Sequence, residues 1–283
     1  MTSFQMLGQE RLAYNFKAGD FFRIKQNAKQ HIFQDIDGYK QEIINDLDAV
    51  FSFEVTDVRE SNYIIQLAFV DFGMKMSSPT MGAELMNVRA SEPKPEDIQS
   101  MIFSGLLGQQ LEMVMRKDGK ILEVKGGDAL IDNMITKAGI VDEVTKNQMR
   151  LSLGNEFGSE SLAHSFEQMT YFYPASAING DTWSNEFSGK LSAKNTWKLD
   201  NSTADGMDIS GKALITMLTA SNGTEMSLSG TQSTTIRVDA SNGFLKTMES
   251  ESSVEGISKS AQLPGKEIPT TIQSTISYEL IQQ

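Results

Sequence analysis

Residues 29–47, KQHIFQDIDGYKQEIINDL, constrain the fold most: two strand-like runs meet at Asp37-Gly38, a dipeptide that accepts the positive φ angles of a tight hairpin turn. In the next run, 49–58, Val50, Ser52 and Glu54 alternate with Phe51, Phe53 and Val55. That is the period of two expected of a half-buried strand. After a turn at 59–62, YIIQLAFVDFGMKM (63–76) supplies a longer strand, and the segments read as an antiparallel meander. ASEPKPED (90–97) interrupts it, with Pro95 suited to the first turn of a short helix. QLEMVMRKDGKILEVKG (110–126) is then a hairpin around Asp118-Gly119.

The period changes at 127. GDALIDNMITKAG (127–139) places Leu130, Ile131, Met134 and Ile135 on one helical stripe, with Asp128 expected as cap and Gly139 as stop. Residues 141–153 and 159–172 predict two more helices, the last closed by Pro174. From Ile178 the β pattern returns to the end, dense in Gly, Ser, Thr and Asn. The expected organisation is a lead-in over 1–10, an N-terminal β half over 11–126 with a short helix near 95–107, a helical block over 127–173, and a C-terminal β half over 174–283. All of it forms one unit. The expected class is α+β: two antiparallel meanders, as curled sheets or half-barrels, flanking about three helices.

The two halves echo one another. FKAGDFFRIKQ (16–26) and INGDTWSNEFSG (178–189) both set Gly-Asp ahead of an aromatic residue, and DGKIL (118–122) finds an echo in ASNGFL (240–245). A diverged pseudo-repeat is therefore expected, although hairpins reuse turn residues for dihedral reasons alone.

The chain resembles a family of uncharacterised envelope proteins from Bacteroidota, a domain of unknown function often found in lipoproteins. The resemblance rests on YNFKAGDFFRIKQ, DGKILEVKGGDALI, FYPASAINGDTW and VDASNGFL. It implies a periplasmic, outer-membrane-associated or extracellular location and assigns no activity or site residue. More distantly the layout is similar to half-barrel lipoprotein carriers, in which an open sheet cups helices over an apolar cavity. An envelope lipoprotein begins with an acylated cysteine, which this sequence lacks, so the expectation is a trimmed anchor or a soluble member.

Several function classes are disfavoured. With 37 acidic and 25 basic residues the net charge is −12, a field that repels nucleic acid and anionic headgroups. The absence of cysteine removes disulfides and thiolate chemistry. The longest apolar run, 63–70, is too short for a transmembrane segment, and the start does not read as a signal peptide. His31 and His164, the two histidines, read as exposed or packing residues, and no nucleophile elbow accompanies them. DIDGYKQEIINDLD (35–48) fails calcium-loop spacing, since Gly38 falls at position 4 rather than 6. Asp71-Phe72-Gly73 stands without the other kinase elements and reads as strand. Trp183 and Trp197 read as buried anchors rather than a glycan platform.

The 16 methionines suggest adaptable apolar space around the helices. Met134, Ile135, Met149, Phe166, Met169 and Phe172 are candidate lining residues of a pocket for an acyl chain; ordinary core is the alternative. The expected function is a non-catalytic envelope protein that binds a lipid, another hydrophobic small molecule or an envelope protein partner, with no cofactor, metal or catalytic residue. The alternatives are an interaction module with a filled core and, third, a carboxylate-based hydrolase.

Overall fold

The computed structural model describes residues 12–174, 182–189, 191–221 and 223–282. The expected lead-in over 1–10, and Gly180-Asp181 of the second echo, lie outside the described residues.

The hairpin at Asp37-Gly38 forms as read. Asp37 and Gly38 take φ of 55° and 87°, and they join β1 (Phe21–Ile36) to β2 (Tyr39–Val58). β2 is one continuous strand, so the segments 39–47 and 49–58 are a single element. β3 (Asn62–Ser78) pairs with β2 on one side. Its other side is shared: β5 (Gln110–Arg116) takes the first half and β4 (Ala83–Arg89) the second. β6 (Ile121–Lys125) pairs with β5. The second run of strands is β7 (Thr182–Phe187), β8 (Leu191–Thr203), β9 (Gly206–Ser221), β10 (Thr224–Asp239), β11 (Leu245–Ser260) and β12 (Ile268–Gln282).

The expectation of an α+β protein with two separate meanders is overturned. β1 pairs with β12 from Arg23 to Gln34, so among the described residues both halves belong to one antiparallel sheet of 12 strands, in the order β6-β5-β3-β2-β1-β12-β11-β10-β9-β8-β7 with β4 off this path beside β3. The reason is cooperative: first and last strands each bring a free edge, and pairing them satisfies both. The pseudo-repeat does not describe the layout either, because β1 is central and β7 lies at an edge.

The helices are α1 (Ile98–Ser104), α2 (Gly127–Lys137), α3 (Glu143–Phe157) and α4 (Ser159–Thr170). Asp97 and Asp142 cap α1 and α3 through their side chains. Asp128 lies in the first turn of α2 instead of at its cap, which Gly126 holds with φ 98°.

α4 seals the sheet. Ten strand spacings separate edge strands β6 and β7, so a flat sheet would hold them about 48 Å apart. Yet Thr170 Oγ1 donates to the carbonyl of Gly119 in the β5–β6 turn at 2.8 Å, and the neighbouring Tyr171 carbonyl accepts from Asn185 Nδ2 of β7 at 2.8 Å. The sheet therefore curls until its two edges grip one helix terminus. Glu167 Oε1 accepts from the amide of Ile121 on the β6 side, and Trp183 Nε1 donates to the Phe172 carbonyl on the β7 side.

Strand alternation gives this curled sheet two chemically opposite faces. Followed through the pairing registers, the inner positions of β1, β2, β3 and β8 to β12 hold no Asp, Glu, Lys, Arg or His among the described residues. The outer positions carry the charges, such as Lys25, Lys29 and Asp46, and Glu249, Glu251 and Glu255. A membrane barrel shows the inverse pattern, apolar outward.

Candidate apolar ligand site

The closed end is built from described residues of the four stretches that carried the family resemblance. Tyr14 and Phe16, from the first, pack with Phe172 and Tyr173 of the third and Phe244 of the fourth. Segment 14–15 threads between two turns: the Tyr14 amide donates to Lys117 O and the Asn15 amide to Asn242 O. Tyr173 Oη donates to Gly243 O at 2.7 Å. Burial pushes the Tyr14 and Tyr173 phenols far up, so both remain protonated donors. These stretches form a structural floor.

Above the floor the interior is incompletely filled. A cavity of about 480 Å³ opens between the inner sheet face and helices α1, α3 and α4, within the ~300–1,000 Å³ span of small-molecule sites. The sheet contributes Phe51, Phe69, Phe72 and Met74 with Ile276 and Tyr278, and the helices contribute Phe103, Leu153, Phe157, Leu162 and Phe166. Phe166 stands edge-on to Phe51 at 5.3 Å, and Phe72 stacks on Phe103 at 5.2 Å. Such contacts fix the walls. Ser152, Glu156 and Ser165 also border the cavity and are exposed, so this rim faces water. The polar groups inside are neutral: Gln26 Nε2 donates to Tyr278 Oη at 3.1 Å, and burial raises the Tyr278 pKa well out of the physiological range.

The six candidate lining residues scatter. Phe166 lines the cavity. Met134 and Ile135 are buried on α2, and Met169 and Phe172 are buried in the core around α4. Met149 is half-buried on α3 and does not border the cavity. The strand residues were missed, although the alternation of Phe51 and Phe53 against Ser52 and Glu54 already marked an apolar face. Which cavity that face would enclose depends on the curl.

The other singled-out residues have local partners. Trp183 and Trp197 are buried, and Trp197 Nε1 donates to Asn185 Oδ1 at 3.0 Å. His31 Nδ1 lies 2.8 Å from Glu42 Oε1 on the outer face. Asp46 pairs with Lys29, while Asp48 and Asp71 share Arg89. Two clefts of about 740 and 760 Å³ flank His164. Charged side chains such as Lys120, Glu123 and Glu160 line the first, and Asp132 and Arg150 the second. In the first cleft burial raises the Glu167 carboxyl above its ordinary range, and that carboxylate is engaged by the Ile121 amide.

The fold and the cavity together define a curled antiparallel sheet closed over helices, the architecture of a lipovitellin solved for its lipid–protein interactions. That structure matches 95% of this chain at TM-score 0.54 and 12% identity, and the chain spans only 26% of its length. The chain belongs to DUF6263, a family of unknown function whose model matches residues 60–245. An outer membrane channel from Pseudomonas putida F1 aligns over 97% of this chain and 98% of its own, at TM-score 0.27 and 7% identity. No curated protein matches the sequence.

Proposed function

We propose that this chain binds an apolar small molecule, of the acyl-chain class, between the curled sheet and helices α3 and α4, and does so without catalysis. One observation carries the reading: an aromatic-walled cavity of about 480 Å³ between sheet and helices, with a water-facing rim on α3 and α4. The lipovitellin likeness supports the fold's suitability for lipid, and fold alone does not fix function. An envelope setting, as the sequence resemblance implies, belongs to the same proposal. Native mass spectrometry of protein purified without detergent tests it. A bound mass of a few hundred daltons, released by organic solvent, is the expected result; a clean apo mass from several preparations, with no uptake of a neutral lipid, overturns it.

A second reading rests on α3. Val144 and Leu151 are 67% and 77% exposed and seven residues apart, so they share an outer apolar stripe. An interaction module would use this stripe against a protein partner, and cross-linking from it to another envelope protein would favour that reading.

A further inference from the structure

Beyond the apolar cavity, the inner face changes chemistry without acquiring charge. The next rung of the sheet towards the β1–β2 hairpin lies two residues on, about 7 Å along the strands. There the register aligns Asn195, Gln232, Ser252, Ser274, Gln30 and Asn45 across the sheet, interrupted only by Ala213. On β2 this rung directly follows Leu47, and on β12 it follows Ile276, both of which border the cavity. Cavity and belt are therefore adjacent parts of one surface.

Within the belt, Asn45 Nδ2 donates to Gln30 Oε1 at 3.5 Å, while Asn45 Oδ1 is buried with no hydrogen-bond partner. A buried acceptor left unsatisfied is costly, and a ligand hydroxyl would relieve that. Anionic headgroups find no such complement. Cavity and belt present no Lys, Arg or His among the described residues, and the only ionisable acid at the rim is Glu156. A carboxylate or phosphate drawn inside would lose its water without gaining a counter-charge, in a protein whose net charge is already −12.

We infer that the ligand is an electrically neutral, hydroxyl-bearing amphiphile, with its chain in the aromatic cavity and its headgroup on the Gln30–Asn45–Ser274 belt. The class is that of an acylglycerol or a glycosylated acyl lipid, in preference to a fatty acid or phospholipid. This rests on the reading of the cavity as an acyl-chain site.

The test is calorimetric titration at pH 8 with three probes of equal chain length: 1-monomyristoylglycerol, methyl myristate and myristate. The glyceride is expected to bind most tightly, with myristate weaker by about a hundredfold or more because an unpaired charge must be buried. Asn45→Leu is expected to weaken the glyceride by about tenfold, the scale of one lost hydrogen bond. It should leave methyl myristate unchanged, which also reports that the variant is folded. Equal binding of myristate and the glyceride overturns the neutrality assignment. An unchanged glyceride affinity in N45L overturns the belt. Either result leaves the apolar site standing, whereas failure of all three probes overturns the site and this inference together.

Discussion

Tyr14 Oη donates to the main-chain carbonyl of Thr170 at 2.8 Å, across 156 residues of sequence. The same carbonyl oxygen lies 1.8 Å from where a Cβ on Gly119 would stand. One backbone group at the end of α4 thus takes the N-terminal segment's phenol and excludes any side chain at Gly119 in the β5–β6 turn. Gly119 is left-handed as well, with φ 92°, so its two constraints, steric and dihedral, reinforce one another.

Gly119→Ala should destabilise the fold by more than ~3 kcal/mol, since backbone must shift against backbone and the residue enters a disfavoured region. Tyr14→Phe, which only leaves the Thr170 carbonyl without that donor, should cost ~1–2 kcal/mol. Urea unfolding midpoints measure both. A milder effect for Gly119→Ala than for Tyr14→Phe would mean that the α4 terminus does not grip this turn.

Glu167 sits buried against the Ile121 amide, and burial raises its pKa above the usual carboxyl value. A raised folded-state pKa means that this group's contribution to stability is fully present below the unfolded value of ~4.3 and is lost as pH rises through the folded value. Glu167→Gln keeps an acceptor oxygen and removes the charge. The variant's melting temperature should exceed wild type at pH 8, and the gap should close as pH falls towards 4. A gap independent of pH would show that Glu167 is not charged at a cost in the folded state.

α3 has no buried residue, while α2 and α4 each have five. Its amides should exchange with deuterium faster than those of α2 and α4, because opening it exposes little apolar surface. Addition of a neutral acyl ligand should slow exchange selectively at Leu153, Glu156 and Phe157, which border the cavity. Uniform exchange across the three helices would contradict a mobile roof.

Leu153→Trp places a larger side chain at the cavity wall from the half-buried face of α3. Filling the cavity should weaken a neutral probe such as Nile red by about tenfold or more, because the indole takes volume the probe would occupy. The thermal midpoint should hardly move, because α3 contributes little to the core. Unchanged probe affinity, read by fluorescence titration, would place binding elsewhere.

Much of this architecture was legible locally. Asp37-Gly38 and Asp118-Gly119 announced their hairpins, and the helical stripe on 127–139 gave α2 within two residues of its ends. Phe51 and Phe53 were correctly phased as one face of a strand, because alternation reports directly which side is apolar. The candidate pocket was harder. Met134, Ile135 and Met169 share the composition of pocket residues, but their helices press them into packed core, and composition does not distinguish a filled apolar space from an empty one. The Asn45–Gln30–Ser274 row was invisible for a different reason: its members lie on separate strands and meet only through register.

The sequence by itself determined the hairpins, the helical block, the apolar phase of the 49–58 run and the glycines that its turns need, since each depends on dihedral preference or periodicity over a few residues. Only the tertiary structure decided that β1 pairs with β12, that α4 closes the seam between β6 and β7, and that a cavity remains beneath α3. Those are agreements between segments up to about 260 residues apart in register, fixed by which edges are free to pair and by how far the sheet curls. No local pattern encodes either.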